Sequence, residues 1–112
     1  MQTIVELPEF VRRAAGLLTD DEKRELLNYL ASEPRAGVLV QGTGGVRKLR
    51  WAVGVKGKSG GVRVIYYVHG IRVPIFLLTV YGKREKDNLT KAECNELALL
   101  TSALVKNYRS RS

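Results

Sequence analysis

The middle of the chain carries the residues that could do chemistry. Between Gly42 and Lys86 there are ten basic residues and one acidic residue, Glu85, which leaves nine of the 19 basic and ten of the 11 acidic residues for the rest of the sequence. The basic residues of this region are Arg47, Lys48, Arg50, Lys56, Lys58, Arg63, Arg72, Lys83, Arg84 and Lys86. Because a solvated surface normally mixes both signs of charge, this segment predicts a surface that binds phosphate groups.

The composition limits the other kinds of site. The chain has 112 residues, a formal net charge of +8, one cysteine and one histidine, His69. A disulfide within these residues and a Cys/His metal cluster are therefore excluded, and we expect neither a cofactor nor a bound metal. The first residues lack the basic start of a signal peptide, and the longest nearly apolar stretch, Val73–Tyr81, is too short to cross a bilayer. We expect a single cytoplasmic domain over residues 1–112 that does not bind membranes.

Two glycine-rich segments resemble nucleotide-binding motifs but do not satisfy them. Gly57-Lys58-Ser59 matches the end of a P-loop, yet Ala52 stands where that motif requires a glycine, and a strand rather than a helix is predicted to follow. Gly42-Thr43-Gly44 is not a dinucleotide-binding motif, because Arg47 occupies the position of the third glycine. Neither segment predicts a nucleotide cofactor.

The apolar pattern predicts the elements that must position the basic residues. We expect a strand over Gln2–Leu7, helices over Pro8–Ala15 and from Thr19 to before Pro34, strands over Val46–Val53, Val62–Val68 and Arg72–Tyr81, and a last helix after Thr90. Thr19 with Glu22, and Thr90 with Glu93, form capping boxes. This order predicts an α+β fold, with a mostly antiparallel sheet, N-terminal helices and a C-terminal helix.

The strand over Val46–Val53 is predicted to separate two kinds of side chain. Lys48 and Arg50 point to one side, and Leu49 and Trp51 point to the other. We expect Trp51 to pack under the last helix, and the basic residues to lie on the outer face of the sheet.

The connections between the central strands carry their own predictions. Residues Gly54–Gly61 should form a loop, His69-Gly70 should form a tight hairpin turn, and Pro74 should lie near a strand start or at a bulge.

Three segments in the same order resemble one known family. Gln41–Arg50 is similar to the entry to the sheet in HigB-type toxins, Gly60–Tyr67 to the family's arginine-bearing central strand, and Leu77–Glu85 to its last strand and the basic turn that follows. The final helix is similar too, so the resemblance covers essentially the whole chain. The chain thus resembles the RelE/HigB group of bacterial type II toxins, which implies a RelE-like microbial ribonuclease fold.

The resemblance also implies an activity and partners. It implies a ribosome-dependent mRNA endonuclease that inhibits translation. It also implies a cognate antitoxin that contains a helix-turn-helix, and operator DNA is expected to be bound only through that antitoxin. By position, Lys48 and Arg50 match the paired basic residues of the active-site strand, and Arg63 matches the phosphate-binding arginine. Arg84 matches the basic residue after the last strand, and Tyr81 stands in for the tyrosine that some members carry later in the chain.

The chemistry of RNA cleavage gives each of these residues a candidate role. When the 2′-hydroxyl attacks the neighbouring phosphate, an enzyme must accept a proton, stabilise the added phosphate charge and protonate the leaving oxygen. Arginine stays charged and its planar fork suits phosphate, so Arg63 with Arg50 would stabilise the transition state. Nearby positive charges disfavour the charged form of a lysine, which makes Lys48 the candidate base. Tyr81 or Arg84 would assist the leaving group.

The other basic residues are expected to bind RNA rather than to do chemistry. These RNA- or ribosome-binding candidates are Arg47, Lys56, Lys58, Lys83 and Lys86. Two alternatives remain: a ParE-like poison of DNA gyrase that cleaves nothing, and an RNA- or ribosome-binding module without activity. The cluster of Lys48, Arg50 and Arg63 favours the nuclease. We expect Arg63 to be a surface residue whose removal costs little stability.

Overall fold

The structure of the chain is a computed structural model that describes residues 2–54, 61–86 and 88–111. Its elements in chain order are β1 (Ile4–Glu6), α1 (Pro8–Leu17), α2 (Asp20–Ser32), β2 (Val38–Leu39), β3 (Val46–Trp51), β4 (Val62–Tyr67), β5 (Ile75–Gly82) and α3 (Lys91–Arg111). The sequence predicted all of these elements except β2. The ends of the predicted elements differ from the observed ones by a few residues. Most of the predicted loop over Gly54–Gly61, including Lys56 and Lys58, lies outside the described residues.

The five strands form one sheet in the order β1-β5-β4-β3-β2. β1 runs parallel to β5, and the other neighbouring pairs are antiparallel. The predicted α+β fold with a mostly antiparallel sheet, N-terminal helices and a C-terminal helix is therefore confirmed. The pairing of β4 with β5 has one irregularity, between Ile65 and Tyr66, which shifts the register along β5.

Helices cover both faces of this sheet. On one face, α1 and α2 bury side chains that include Phe10, Ala14, Leu26 and Leu30 against β3, β4 and β5. On the opposite face, Leu97, Leu100 and Leu104 of α3 pack against Ile65, Tyr67, Phe76, Leu78 and Tyr81. All six residues of the central strand β4 are buried as a result. Among the described helices, none combines the length and apolar character that crossing a membrane requires.

The turn between α1 and α2 is built by the predicted capping box. Thr19 Oγ1 accepts a hydrogen bond from the Glu22 amide, and Glu22 Oε1 accepts one from the Thr19 amide. The other carboxylate oxygen accepts from the Gly54 amide at 2.7 Å. These backbone hydrogen bonds lower the pKa of Glu22. The first helix, which was predicted to end at Ala15, continues to Leu17, and Thr19 caps the next one.

Two further predictions about this region need correction. The connection between β4 and β5 spans residues 68–74, so His69-Gly70 is not a tight two-residue hairpin. Gly70 does adopt a positive φ of 68° within it, and Pro74 directly precedes β5, at the predicted strand start. Trp51 does not pack under α3. It lies on the opposite face, against the core of α1 and α2, with its ring 5.4 Å from that of Tyr29.

The edge strand β2 depends on a buried tyrosine. The Tyr66 hydroxyl accepts a hydrogen bond from the Gly37 amide at 2.8 Å, directly before β2. A Cβ atom on Gly37 would lie 2.9 Å from the Tyr66 ring and hydroxyl, so only glycine allows this approach. Burial is the main cause that raises the pKa of Tyr66, so the hydroxyl stays neutral.

Tyr66→Phe is therefore expected to destabilise the protein by about 1–3 kcal/mol, since it leaves the Gly37 amide without its partner. The matched control is Tyr108→Phe, because Tyr108 is an exposed residue of α3. Chemical denaturation of both variants measures the difference. Equal free energies of unfolding for the two variants would show that the Tyr66 hydroxyl does not hold the start of β2.

Candidate functional site

Three of the predicted site residues form a row across the central strands. In the register of the sheet, Arg50 of β3 lies opposite Arg63 of β4, and Arg63 lies opposite Tyr81 of β5. Residues directly opposite on antiparallel strands have Cβ atoms about 5 Å apart and share a face. We call Arg50, Arg63 and Tyr81 the cross-strand row.

Lys48 lies beside this row on the same face. It precedes Arg50 by two positions in β3, so both side chains leave the strand on the same side, as predicted. Its register partner in β4 is Ile65, which belongs to the core under α3. Lys48 Nζ donates a hydrogen bond to Asn88 Oδ1 at 3.1 Å. The strand thus fixes the backbone of Lys48, and Asn88, just before α3, contacts the amine at the end of its side chain.

The sequence predicted that these residues lie on an open outer face of the sheet. In the structure, α3 packs on that face, where Arg63 is only 3% exposed and Tyr81 only 1% exposed. Arg63 is therefore not a surface arginine, so the reason for expecting its removal to cost little stability does not hold. Arg50 is exposed and Lys48 is half-buried. The accessible part of the site is formed by β3, and the buried part by β4 and β5.

Lys86, which lies between β5 and α3, contacts Tyr81 at one end of the row. Lys86 forms an ion pair with Glu93, and its Nζ lies 5.0 Å from the centre of the Tyr81 ring. Glu93 also accepts from the Thr90 amide, in the predicted capping box of α3. The hydrogen bond from Lys86, and then that from Thr90, lower the pKa of Glu93, so it remains a carboxylate at neutral pH. Lys86 is held over Tyr81 by this contact.

A cleft of about 610 Å³ lies between α1, β5 and α3. Tyr81, Lys86 and Leu89 are among its lining residues. Tyr81 therefore borders this cleft, although only 1% of the residue is exposed to solvent.

The basic turn after β5 is fixed by a residue that the sequence did not single out. Arg13 Nε donates to the Val80 carbonyl at 2.7 Å, and Arg13 also pairs with Glu85. Glu85 accepts from the Gly82 amide at 3.1 Å. The hydrogen bond from Arg13 is the largest cause that lowers the pKa of Glu85. The one signal in the sequence was Glu85, the single acid of the basic region, which indicated that a basic partner would be paired with it.

The remaining RNA-binding candidates fall in three different places. Lys83 and Arg84 are exposed on the turn after β5, beside the end of the row. Arg47 points to the other face of β3 and donates to the Gly37 carbonyl at 2.7 Å, so the structure does not bring it to the site. Lys56 and Lys58 lie outside the described residues. In the described part of the chain, no group of three metal-ligating side chains occurs.

The charges of the row explain what it can bind. Like charges placed directly opposite on neighbouring strands repel each other, which disfavours the pairing of Arg50 with Arg63. An anion that binds the exposed guanidinium group of Arg50 would form charge-assisted hydrogen bonds with it. The arrangement is thus suited to a phosphate group. Lys48 lies on the same face, two positions before Arg50 in β3.

No protein-family model matches this chain. The role of the site therefore has to be argued from its residues and their arrangement.

Arg50→Gln is expected to weaken binding of a short single-stranded RNA and to lower the dependence of log Kd on log salt by about 0.7, the value for one lost phosphate contact. The matched control is Arg72→Gln, since Arg72 is an exposed arginine in the connection at the opposite end of these strands. Fluorescence anisotropy at several salt concentrations gives both quantities. Identical losses for the two variants would mean that binding depends on net charge and not on the row.

Proposed function

We propose that the chain is the toxin of a type II toxin–antitoxin pair of the RelE/HigB kind, and that it cleaves mRNA on the ribosome. The observation that supports this most is the cross-strand row, with exposed Arg50 opposite buried Arg63 and with Lys48 on the same face. The backbone of RNA offers both a phosphate for the guanidinium groups and a 2′-hydroxyl for a base.

In this mechanism the 2′-hydroxyl attacks the adjacent phosphate, and Lys48 accepts its proton. Arg50, which is exposed, contacts the phosphate oxygens directly. Arg63 lies opposite Arg50 on the neighbouring strand and is almost fully buried, so its positive charge acts where an electrostatic interaction is stronger than at the surface. The two arginines thereby stabilise the negative charge that develops in the transition state.

The leaving oxygen must gain a proton or a stabilising charge. Arg84 is the better candidate of the two, because it is exposed on the turn after β5, whereas Tyr81 is almost completely buried. In this account Tyr81 supports Arg63 from its register position and holds Lys86. Because arginine is a poor proton donor, Arg84 would stabilise the charge on the leaving oxygen, which then takes its proton from water. The ribosome would hold the mRNA in a reactive geometry.

The proposed partners follow from the same surface. The exposed basic groups would bind mRNA and ribosomal RNA in the cytoplasm, with Lys56, Lys58 and Lys83 adding attraction to phosphates. A cognate antitoxin would neutralise the basic face with acidic side chains or a helix, and operator DNA would be bound through the antitoxin's helix-turn-helix.

One observation favours a second candidate, an RNA- or ribosome-binding module without activity. Arg63 and Tyr81 expose only 3% and 1% of their surface, so a substrate could contact the row mainly through Arg50 and Lys48. Binding needs no more than these two groups, whereas cleavage needs the buried charge as well. For a ParE-like gyrase poison, the arrangement of the row offers no comparable support.

Purified protein added to translating ribosomes is expected to leave a 2′,3′-cyclic phosphate or 3′-phosphate on the upstream mRNA fragment, because the 2′-hydroxyl is the nucleophile. Arg50→Gln should slow cleavage by about 100-fold to 1,000-fold, the usual effect of losing one preorganised donor. Lys83→Gln, an equal loss of charge on the neighbouring turn, should only weaken it. Upstream fragments ending in a 3′-hydroxyl would rule out attack by the 2′-hydroxyl.

A further inference from the structure

We infer that Arg13, a residue of α1, is a positioning residue for Arg84, and that it holds the turn after β5 in the shape that presents Arg84 to the leaving oxygen. This inference rests on the proposed function, in which Arg84 stabilises the charge on that oxygen. Arg13 lies outside the basic region between Gly42 and Lys86, and it reaches the turn only through the fold.

Lys83 and Arg84 are the two central residues of a tight turn. The Glu85 amide donates to the Gly82 carbonyl at 3.0 Å, which is the hydrogen bond that closes a four-residue turn. In the reverse direction, the Gly82 amide donates to Glu85 Oε1 at 3.1 Å. The Lys83 amide also donates to the Gly61 carbonyl at 3.3 Å, just before β4. The backbone of the turn is therefore closed from within and attached to the sheet.

Arg13 attaches this turn to α1 at two points. Its Nε donates to the Val80 carbonyl at 2.7 Å, two residues before the turn, and its Nη2 forms an ion pair with Glu85 Oε2 at the end of the turn. Because the guanidinium group is a rigid planar fork, the two bonds hold these points at a fixed separation. With the Gly82 amide on one oxygen and Arg13 on the other, both carboxylate oxygens of Glu85 are engaged.

The backbone of Arg13 is itself fixed, because α1 packs on the sheet. Phe10 and Ala14, on either side of Arg13 in sequence, are buried in the core of α1 and α2. At the other end of the contact, the hydrogen bond from Arg13, and then that from the Gly82 amide, lower the pKa of Glu85. Glu85 is therefore a carboxylate at neutral pH, the form that favours both bonds.

A fixed turn matters because Arg84 is exposed and receives little support from packing. A charged donor that is already in place needs no reorganisation when charge develops in the transition state. A displacement of such a group by about 1 Å can lower a rate by roughly 100-fold. The contacts of Arg13 thus supply from α1 the rigidity that a residue on an exposed turn needs for this role.

The test is a double-mutant cycle on mRNA cleavage by the protein on translating ribosomes. Arg13→Gln is expected to lower kcat by roughly tenfold to 100-fold and to change KM by less than about twofold, because Arg84 is misplaced while the binding surface remains. In an Arg84→Gln background the same replacement should have almost no further effect, since the residue that it positions is gone. The control is Arg12→Gln, which removes the same charge from an exposed neighbouring position of α1.

Losses that multiply in the double variant would overturn the inference, since a residue that only stabilised the fold would act independently of Arg84. Equal activities of Arg13→Gln and Arg12→Gln would overturn it too. If circular dichroism shows that Arg13→Gln is unfolded, Glu85→Gln takes its place in the cycle with the same expected pattern. That variant keeps the bond from Arg13 to Val80 and removes only the ion pair.

A second readout does not depend on cleavage, so failure of the proposed function can be recognised separately. In ¹⁵N-labelled protein, the amides of Lys83 and Arg84 should have backbone order parameters of about 0.85 in the wild type, typical of rigid backbone, and below about 0.6 in Arg13→Gln. Equal order parameters would contradict the positioning role even if mRNA is cleaved. A rigid turn that loosens in Arg13→Gln, without any cleavage by the wild type, would retain the positioning of Arg84 and reject the nuclease.

Discussion

The pairing of β3 with β4 is the constraint on which both the core and the site depend. The hydrogen bonds that place Leu49 opposite Val64, inside the core of α1 and α2, also place Arg50 opposite Arg63 on the other face. Because successive side chains alternate between faces, a shift by one residue would move Leu49 to the wrong side of the sheet. Burial of the apolar side chains therefore fixes the register, and the register aligns the charges that repel each other.

The last helix determines how much of the site is accessible. α3 packs on residues of β4 and β5, and from β3 only Val46 belongs to the same buried cluster. Tyr81 is buried in this cluster and its register partner Arg63 is buried too, while Arg50 remains exposed. The segment before α3 connects the two parts through Asn88 and Lys86. The site is thus a boundary between a sheet and a helix, so its geometry depends on how α3 is anchored.

The sequence predicted what depends on local patterns. The alternation in β3 separated Lys48 and Arg50 from Leu49 and Trp51, and both capping boxes formed where their residues indicated. It did not predict which helix covers which face, so Trp51 was assigned to the wrong core and Arg63 to the surface. Those assignments depend on the packing of distant elements. Arg13 was missed for the same reason, since its contacts with Val80 and Glu85 span about 70 residues of sequence.

The central claim is that the row of Arg50 and Arg63 takes part in cutting RNA rather than only binding it. The most direct measurement is to map the 5′ ends of a defined mRNA in a purified translation system after the protein is added. The account predicts new ends within the mRNA that appear only when ribosomes are translating it, and that are lost with Arg63→Ala, provided circular dichroism shows that this variant is folded. An intact mRNA on stalled ribosomes, with translation stopped to the same extent, would contradict it.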